Sequence, residues 1–319
     1  MVGIKDIAKT AGVSISTVSY ALNGSNKVTE ETRQRIEQIA AELNYVPNMA
    51  ARTLKRQQTN IIAVYISDYG GSFYSELMEG IKQGLNAFDY EIIVCSGQKS
   101  HLFLPERMVD GGIILDWTFK NEEIINFADR GHPIVVLDRE IENKNICRVL
   151  LDNKAGATLA IEQLVAARTD KVYLVSGPKK GFDSIQRLEA SVTELNRYHI
   201  DFEVIVGDFT QESGYHAAYQ IMERKPQFPI YIFSFNDEMA IGIYRYFTER
   251  GKIIGKDVRI IGFDNTDIGA YITPRLATIS YSKHRWGLVA AEKIVQLIEG
   301  KKAADEVICT TYIQGESFR

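Results

Sequence analysis

The stretch Asp6-Ile-Ala-Lys-Thr-Ala-Gly-Val-Ser-Ile-Ser-Thr-Val-Ser-Tyr20 decides how the N-terminus folds. Ile4, Ile7, Ala8 and Ala11 recur at helical spacing, and Gly12 interrupts them. Ser14 stands where an N-cap belongs, with Thr17, Val18, Ala21 and Leu22 in helical register behind it. A helix-turn-helix needs a small residue in its first helix, a permissive residue in the turn and apolar residues locking the pair. Ala8, Gly12, Val13 and Val18 meet those needs. The second helix then presents Ile15 and Ser16 to base edges, with Tyr20 one turn later. Lys5, Ser14, Thr17, Ser19 and Asn23 are placed for phosphates. The competing reading is an ordinary three-helix bundle, but Ile15 and Tyr20 are awkward to leave in water without a partner.

Outward from that stretch, Asn23-Gly24-Ser25-Asn26 reads as a turn, and Thr29 caps a third helix carrying Ile36, Ile39, Ala40 and Leu43. Pro47 closes it. Residues 48–58 are polar and basic, with the spacing of a two-turn helix too short to be stable alone, so they read as a conditional linker. From residue 60 the pattern changes. Apolar, β-rich runs alternate with helical segments from 61–66 as far as 276–279, and a last helix spans 284–299. Such alternation implies parallel sheets with helices on both faces, and the strands are too many for one small sheet. The expected fold is an all-α helix-turn-helix head with a hinge helix, followed by an α/β body of two doubly wound parallel-sheet subdomains. The expected boundaries are 1–46 for the head and 47–58 for the hinge. Residues 59–154 with 283–306 form the first subdomain, and 155–282 with 307–319 the second.

Composition fits this. The chain has 319 residues, 45% apolar and 24% charged, which is the balance of a folded globular protein. No run of about 18 apolar residues exists to span a membrane, and the start Met-Val-Gly-Ile-Lys-Asp turns polar at once, so the expected location is cytoplasmic. Cys95, Cys147 and Cys309 lie far apart and suit neither a disulfide framework nor a metal site. The net charge of −4 argues against a nucleic-acid partner until it is divided. Residues 1–58 hold eight Lys/Arg and five acids, so a +3 head sits on a −7 body.

Residues 3–58 resemble the DNA-binding head of the lactose-repressor (LacI/GalR) family of bacterial transcription regulators. The resemblance is carried by Ile7-Ala8, Ala11-Gly12-Val13-Ser14, Thr17-Val18-Ser19, Val28, Thr32-Arg33, Leu43-Asn44-Tyr45, Pro47-Asn48 and Ala51-Arg52-x-Leu54. The body agrees at Phe73-Tyr74, Asp110-Gly111, Asn236 to Gly242 and Ile261-Gly262-Phe263-Asp264. The resemblance implies a periplasmic-binding-protein-like body that dimerises and holds a small effector in its cleft. It adds Thr32, Tyr45 and Asn48 to the DNA-backbone contacts. It also implies that the linker becomes a helix on operator DNA and enters the minor groove. There Ala51 lets two linkers approach, Leu54 is an apolar wedge, and Arg52 and Lys55 meet phosphates.

In such folds ligands bind at the carboxyl ends of the strands. Candidates are Ser67, Asp68, Phe73 and Tyr74 after the first strand, Asp138, Arg187, Asn236 and Asp264. By resemblance the last four fall at positions lining the family's effector pocket. Carboxylates, an amide, a guanidinium and aromatic faces suit a sugar, and Lys179 and Lys180 leave a phosphorylated sugar open. Asn236 reads equally as a helix cap. No enzyme motif is present: there is no G-x-G-x-x-G and no G-x-S-x-G, and the five histidines lack metal spacing. Neither a cofactor nor a metal is expected.

Two departures from the family pattern stand out. Tyr20 occupies a recognition position often held by Arg or His, so base readout shifts toward thymine methyls. The segment from Gln98 to Met108, with Pro105, is too short for the full helix usual there and predicts about one turn. The expected function is a dimeric repressor of pseudo-palindromic operator DNA, switched by a small, carbohydrate-like effector. The alternatives are an activator of the same family, a binding receptor with no DNA role, and a doubly wound enzyme.

Overall fold

The computed structural model describes residues 2–46, 58–67 and 73–319. The chain divides into two units, Met1–Thr59 and Asn60–Arg319.

The first unit holds α1 (Ile4–Ala11), α2 (Ile15–Leu22) and α3 (Glu30–Glu42). Gly12 ends α1 in the left-handed region at φ 65°, which costs a residue without Cβ nothing. The chain reverses there, and the Val13 N–H donates to the Ala8 carbonyl at 3.1 Å. Ser14 Oγ accepts the Thr17 N–H at 3.0 Å, and Thr29 Oγ1 accepts the Thr32 N–H at 3.3 Å, so α2 and α3 are capped as expected. Ile7, Ala8, Ala11, Val18, Ala21, Ile36 and Ala40 form the core, with Val13 and Tyr45 packed on its edge. The small residues let the helices cross closely.

The second unit contains two six-stranded sheets. The first is built from β1 (Ile61–Ile66), β2 (Glu91–Cys95), β3 (Gly111–Leu115), β4 (Ile134–Val136), β5 (Ile146–Leu151) and β11 (Glu306–Ile308), in the order β11-β5-β4-β3-β1-β2. Every pairing in it is parallel. The second comprises β6 (Lys171–Ser176), β7 (Asp201–Val206), β8 (Ile230–Ser234), β9 (Val258–Phe263), β10 (Ala277–Ser280) and β12 (Thr311–Ile313), in the order β12-β10-β9-β8-β6-β7. Only β10–β12 is antiparallel. The central strands are buried along their length, which is why they read as unbroken apolar runs.

Helices α4 (Phe73–Asn86) and α11 (Lys283–Ile298) cover one face of the first sheet. They pack so closely that a Cβ on Gly80 would meet the His284 carbonyl oxygen at 2.1 Å. The other face carries α5 (Asn121–Asp129) and, ahead of Pro105, the 3₁₀ segment Gln98–Phe103 where the sequence predicted about one turn. The second sheet is flanked by α6 (Asn153–Ala166), α7 (Phe182–Arg197), α8 (Gln211–Glu223) and α9 (Asp237–Glu249). A short α10 (Asp267–Tyr271) precedes β10. The chain leaves the first sheet after β5 and returns after β10. It passes to the second sheet again between β11 and β12. One assignment needs correcting: Val307 and Ile308 pair with Leu150 and Leu151, so they belong to the first sheet rather than the second. Strands this short carry too little periodicity to be seen in sequence.

Candidate functional site

In the head, Ile15 and Ser16 stand exposed at the start of α2, Ile15 at 46%. Tyr20 is half-buried on the same helix, with Lys27 Nζ 5.0 Å above its ring. The helix thus displays an isoleucine at its start, suited to methyls, and farther along a ring that carries a cation. Around them Lys5 and Asn23 are exposed, and Thr17, Ser19, Thr32 and Tyr45 are half-buried. Ser14 Oγ lies 2.8 Å from Thr17 Oγ1, so the cap already uses both hydroxyls. Asn23 Nδ2 donates to the Ser19 carbonyl at 2.7 Å. Asn48, Ala51, Arg52, Leu54 and Lys55 lie outside the described residues, as does Asp68.

In the body, the carboxyl ends of β1, β3 and β4 deliver Ser67, Asp116 and Asp138, while those of β6, β8 and β9 deliver Ser176, Asn236 and Asp264. Arg187, on α7, is the centre of the second set. Its guanidinium lies 3.6 Å from the centre of the Phe263 ring, and the side chain is buried. Nε donates to Asn153 Oδ1 at 2.8 Å and Nη1 donates to the Phe235 carbonyl. Asn153 Nδ2 in turn donates to Asp183 Oδ1 at 2.7 Å. Among the described residues Nη2 has no hydrogen bond, so one edge of the fork remains able to donate.

Asp264 faces this group. Its Oδ1 accepts the Tyr281 hydroxyl at 2.8 Å, and its Oδ2 has no donor among the described residues. Burial, opposed by the nearby Arg187 and Lys283 charges, leaves its carboxyl raised to about 6. Asp237, the first residue of α9, is fully buried. It accepts the Thr266 N–H at 2.8 Å and the Thr278 hydroxyl at 2.6 Å. Burial and the Asp264 charge raise it to about 7. It braces the turn after β9.

Asn236 caps α9 by accepting the Met239 N–H at 2.9 Å, and its amide donates to the Phe209 carbonyl at 2.9 Å. Asp138 makes a two-pronged pair with its neighbour Arg139, at 2.7 and 2.8 Å. Arg139 is itself fastened to the Phe119 and Asp116 carbonyls. Burial raises the Asp138 carboxyl, and the Asp183 charge adds to that shift as it does at Asp264. Asp183 therefore lies within electrostatic reach of both sides, although sequence reasoning missed it.

Aromatic rings continue the site from one subdomain to the other. Phe263 lies 6.1 Å from Tyr281, Tyr281 5.9 Å from Trp286, Trp286 6.4 Å from Phe73 and Phe73 5.1 Å from Tyr74. The chain of rings connects Phe73 and Tyr74, through Trp286, to Tyr281, whose hydroxyl bonds Asp264. The structure does not tie Ser67 to them; the Ser67 carbonyl accepts the Ser96 hydroxyl at 3.4 Å. Asn153, Tyr281 and Lys283 were also missed, because their hydrogen-bond partners lie 34, 17 and 19 positions away in sequence. Among the described residues no group of His, Cys, Asp or Glu could hold a metal ion, and no helix is long and apolar enough to cross a membrane.

Comparison with known proteins agrees with both halves. Residues 3–48 match the model for bacterial regulatory proteins of the lacI family, and residues 161–318 match a periplasmic binding protein-like domain. The chain is 30% identical to the probable HTH-type transcriptional repressor ExuR of Bacillus subtilis (strain 168), over 98% of this chain and 96% of that protein. It is 62% identical to a sugar-binding transcriptional regulator (LacI family) from Enterococcus faecalis, with a TM-score of 0.80 over 83% of this chain and 99% of that one. It is 26% identical to the lac repressor of a dimer bound to operator and the anti-inducer ONPF, with a TM-score of 0.82 over 99% of this chain and 98% of that one. The chain belongs to the lacI family of bacterial regulatory proteins.

Proposed function

We propose that this regulator is a dimeric repressor whose paired heads hold a pseudo-palindromic operator and whose body binds a carbohydrate that changes operator affinity. Ile15, Ser16 and Tyr20 read bases. Lys5, Ser14, Thr17, Ser19, Asn23, Thr32, Tyr45 and Asn48 hold the DNA backbone, and Ala51, Arg52, Leu54 and Lys55 act in the minor groove. Ser67, Asp68, Phe73, Tyr74, Asp138, Arg187, Asn236 and Asp264 face the effector. The domain limits given above apply, with 307–308 moved to the first subdomain. The protein works by binding rather than catalysis, in the cytoplasm where its DNA lies.

One observation carries the carbohydrate reading: a donating Arg187 edge and an accepting Asp264 oxygen sit beside the Phe263 and Tyr281 rings. Hydroxyls both donate and accept, so a polyol can satisfy both groups at once. The similarity to a regulator described as sugar-binding supports the same choice. Asn236 contributes its remaining N–H while it caps α9.

The test is footprinting on DNA upstream of the protein's own operon, with and without a panel of neutral sugars. We expect protection of one palindromic site and a change in protection with one sugar. The absence of any protected palindrome at low salt would overturn the repressor reading. Melting shifts on the same panel identify the effector, since a ligand at 100 times its Kd adds roughly 2.7 kcal/mol.

A further inference from the structure

Lys283 is the first residue of α11, which returns the chain from the second subdomain to the first. Its side chain is buried, at 1% exposure. A cation in the first turn of a helix opposes the helix dipole, and a buried cation needs partners. Lys283 finds them on both sides of the crossover. Nζ donates to the Asp264 carbonyl at 2.6 Å and lies 3.5 Å from the Asn265 carbonyl. It also lies 3.7 Å from Glu76 Oε1 in the first turn of α4, and 5.3 Å from the centre of the Tyr281 ring.

The two carbonyls belong to a strained turn. Asp264 has φ 114° and Asn265 φ 50°, two consecutive non-glycine residues in a region that side chains disfavour. Such strain persists only where the surroundings over-determine it. Asp237 fixes the far end of the turn through the Thr266 N–H. The near end, which carries the Asp264 carboxylate, donates its N–H groups to the Ile279 carbonyl at 2.8 Å and to Thr278 Oγ1 at 3.3 Å, while among the described side chains Lys283 holds its two carbonyls.

We propose that Lys283 is a positioning residue of the effector site. It holds the Asp264–Asn265 turn in its left-handed form and ties that turn to Glu76 of the first subdomain. The Tyr281 hydroxyl holds one Asp264 oxygen directly, and this ammonium sets the backbone from which the carboxylate projects and links it to the other half of the cleft. Three N–H groups in a tetrahedral head suit two carbonyls and a carboxylate. The inference rests on Asp264 being an effector residue.

The test uses the full-length protein without sugar, as Lys283→Met and Lys283→Arg. Amide exchange is read at Asn265 and Thr266, and the Asp264 carboxyl is titrated by carbon-13 NMR. Loss of a charged hydrogen bond predicts exchange at those two amides about tenfold faster or more in Lys283→Met. Amides of β1 and β3 stay unchanged, and the Asp264 midpoint moves upward because a neighbouring cation is gone. Lys283→Arg restores both. Unchanged exchange in the turn, an unchanged midpoint, or a uniform acceleration that Arg does not reverse would each overturn the proposal. Sugar binding by Asp264→Asn tests the underlying effector role separately, so either reading can fail without the other.

Discussion

Replacing Asp264 by Asn should stabilise the protein above pH 7 while abolishing carbohydrate binding. Burial is the main reason its carboxyl is raised to about 6; Arg187, Lys283 and the Tyr281 hydroxyl pull it back, and Asp183 pushes it further up. In the unfolded chain the same group titrates at about 3.9. The folded state thus keeps its proton to higher pH. Between about 4 and about 6, unfolding releases that proton, so stability falls as pH rises through this window and then levels off. A shift of roughly two units at 1.36 kcal/mol each corresponds to about 3 kcal/mol at neutral pH and above. Asn resembles the neutral acid and keeps an oxygen for Tyr281, so the variant should recover about 1–3 kcal/mol at pH 8 and none near pH 4. Urea unfolding across that pH range measures it, followed by fluorescence of the buried Trp286, at one protein concentration because association adds to stability. A stability difference independent of pH would refute the reasoning. So would an Asn variant less stable than wild type at pH 8.

Ile15→Ala should weaken operator binding about tenfold and leave head stability within about 0.5 kcal/mol, because Ile15 is exposed. Its salt dependence should not change, since no charge is lost; a flat affinity in gel shift would remove Ile15 from the base contacts. Leu54→Ala should weaken operator binding strongly while sparing dimerisation and sugar binding, and unchanged operator affinity would sink the wedge role. Gly242→Ala would place a Cβ 1.9 Å from the Gln211 carbonyl oxygen, forcing α8 and α9 apart at a cost of about 1–3 kcal/mol in urea unfolding. A neutral sugar should raise the melting temperature more than its phosphate ester, and the reverse order would reassign the effector class.

The head was legible because its signals are local. Gly12, Ser14 and Thr29 each act within a few residues, as an αL cap or an N-cap, and the structure realises all three. The main strands were legible because burial on both faces leaves apolar runs between helical periods. What escaped was non-local. Glu306–Ile308 is a strand only because β5 offers it an edge. Asp183 in the first turn of α7 reads as a dipole-compensating acid, and nothing in its neighbours announces Asn153, thirty positions away, as its partner. Lys283 reads as one more charge at a helix start. Asp138 and Asn236 were chosen for their positions at strand ends, but their bonds to Arg139, Met239 and Phe209 are set by how strand ends meet.

Those bonds also decide what charge the cleft accepts. Its cations are largely committed. Lys283 serves two carbonyls and Glu76, and Arg139 serves Asp138 and the Phe119 and Asp116 carbonyls. Arg187 retains one edge. Against that stand three carboxylates, since the Asp183 charge acts on both Asp138 and Asp264. A phosphate would bring further negative charge beside these carboxylates, with one open guanidinium edge, that of Arg187, to meet it among the described residues. Lys179 and Lys180 stand exposed in the turn before α7, where water screens them. A neutral polyol meets none of this repulsion, and its hydroxyls can donate to the open Asp264 oxygen and accept from Arg187 together. On the proposed reading, the acidity that made the whole chain look unlike a DNA binder serves inside the body, as acceptors for an uncharged ligand.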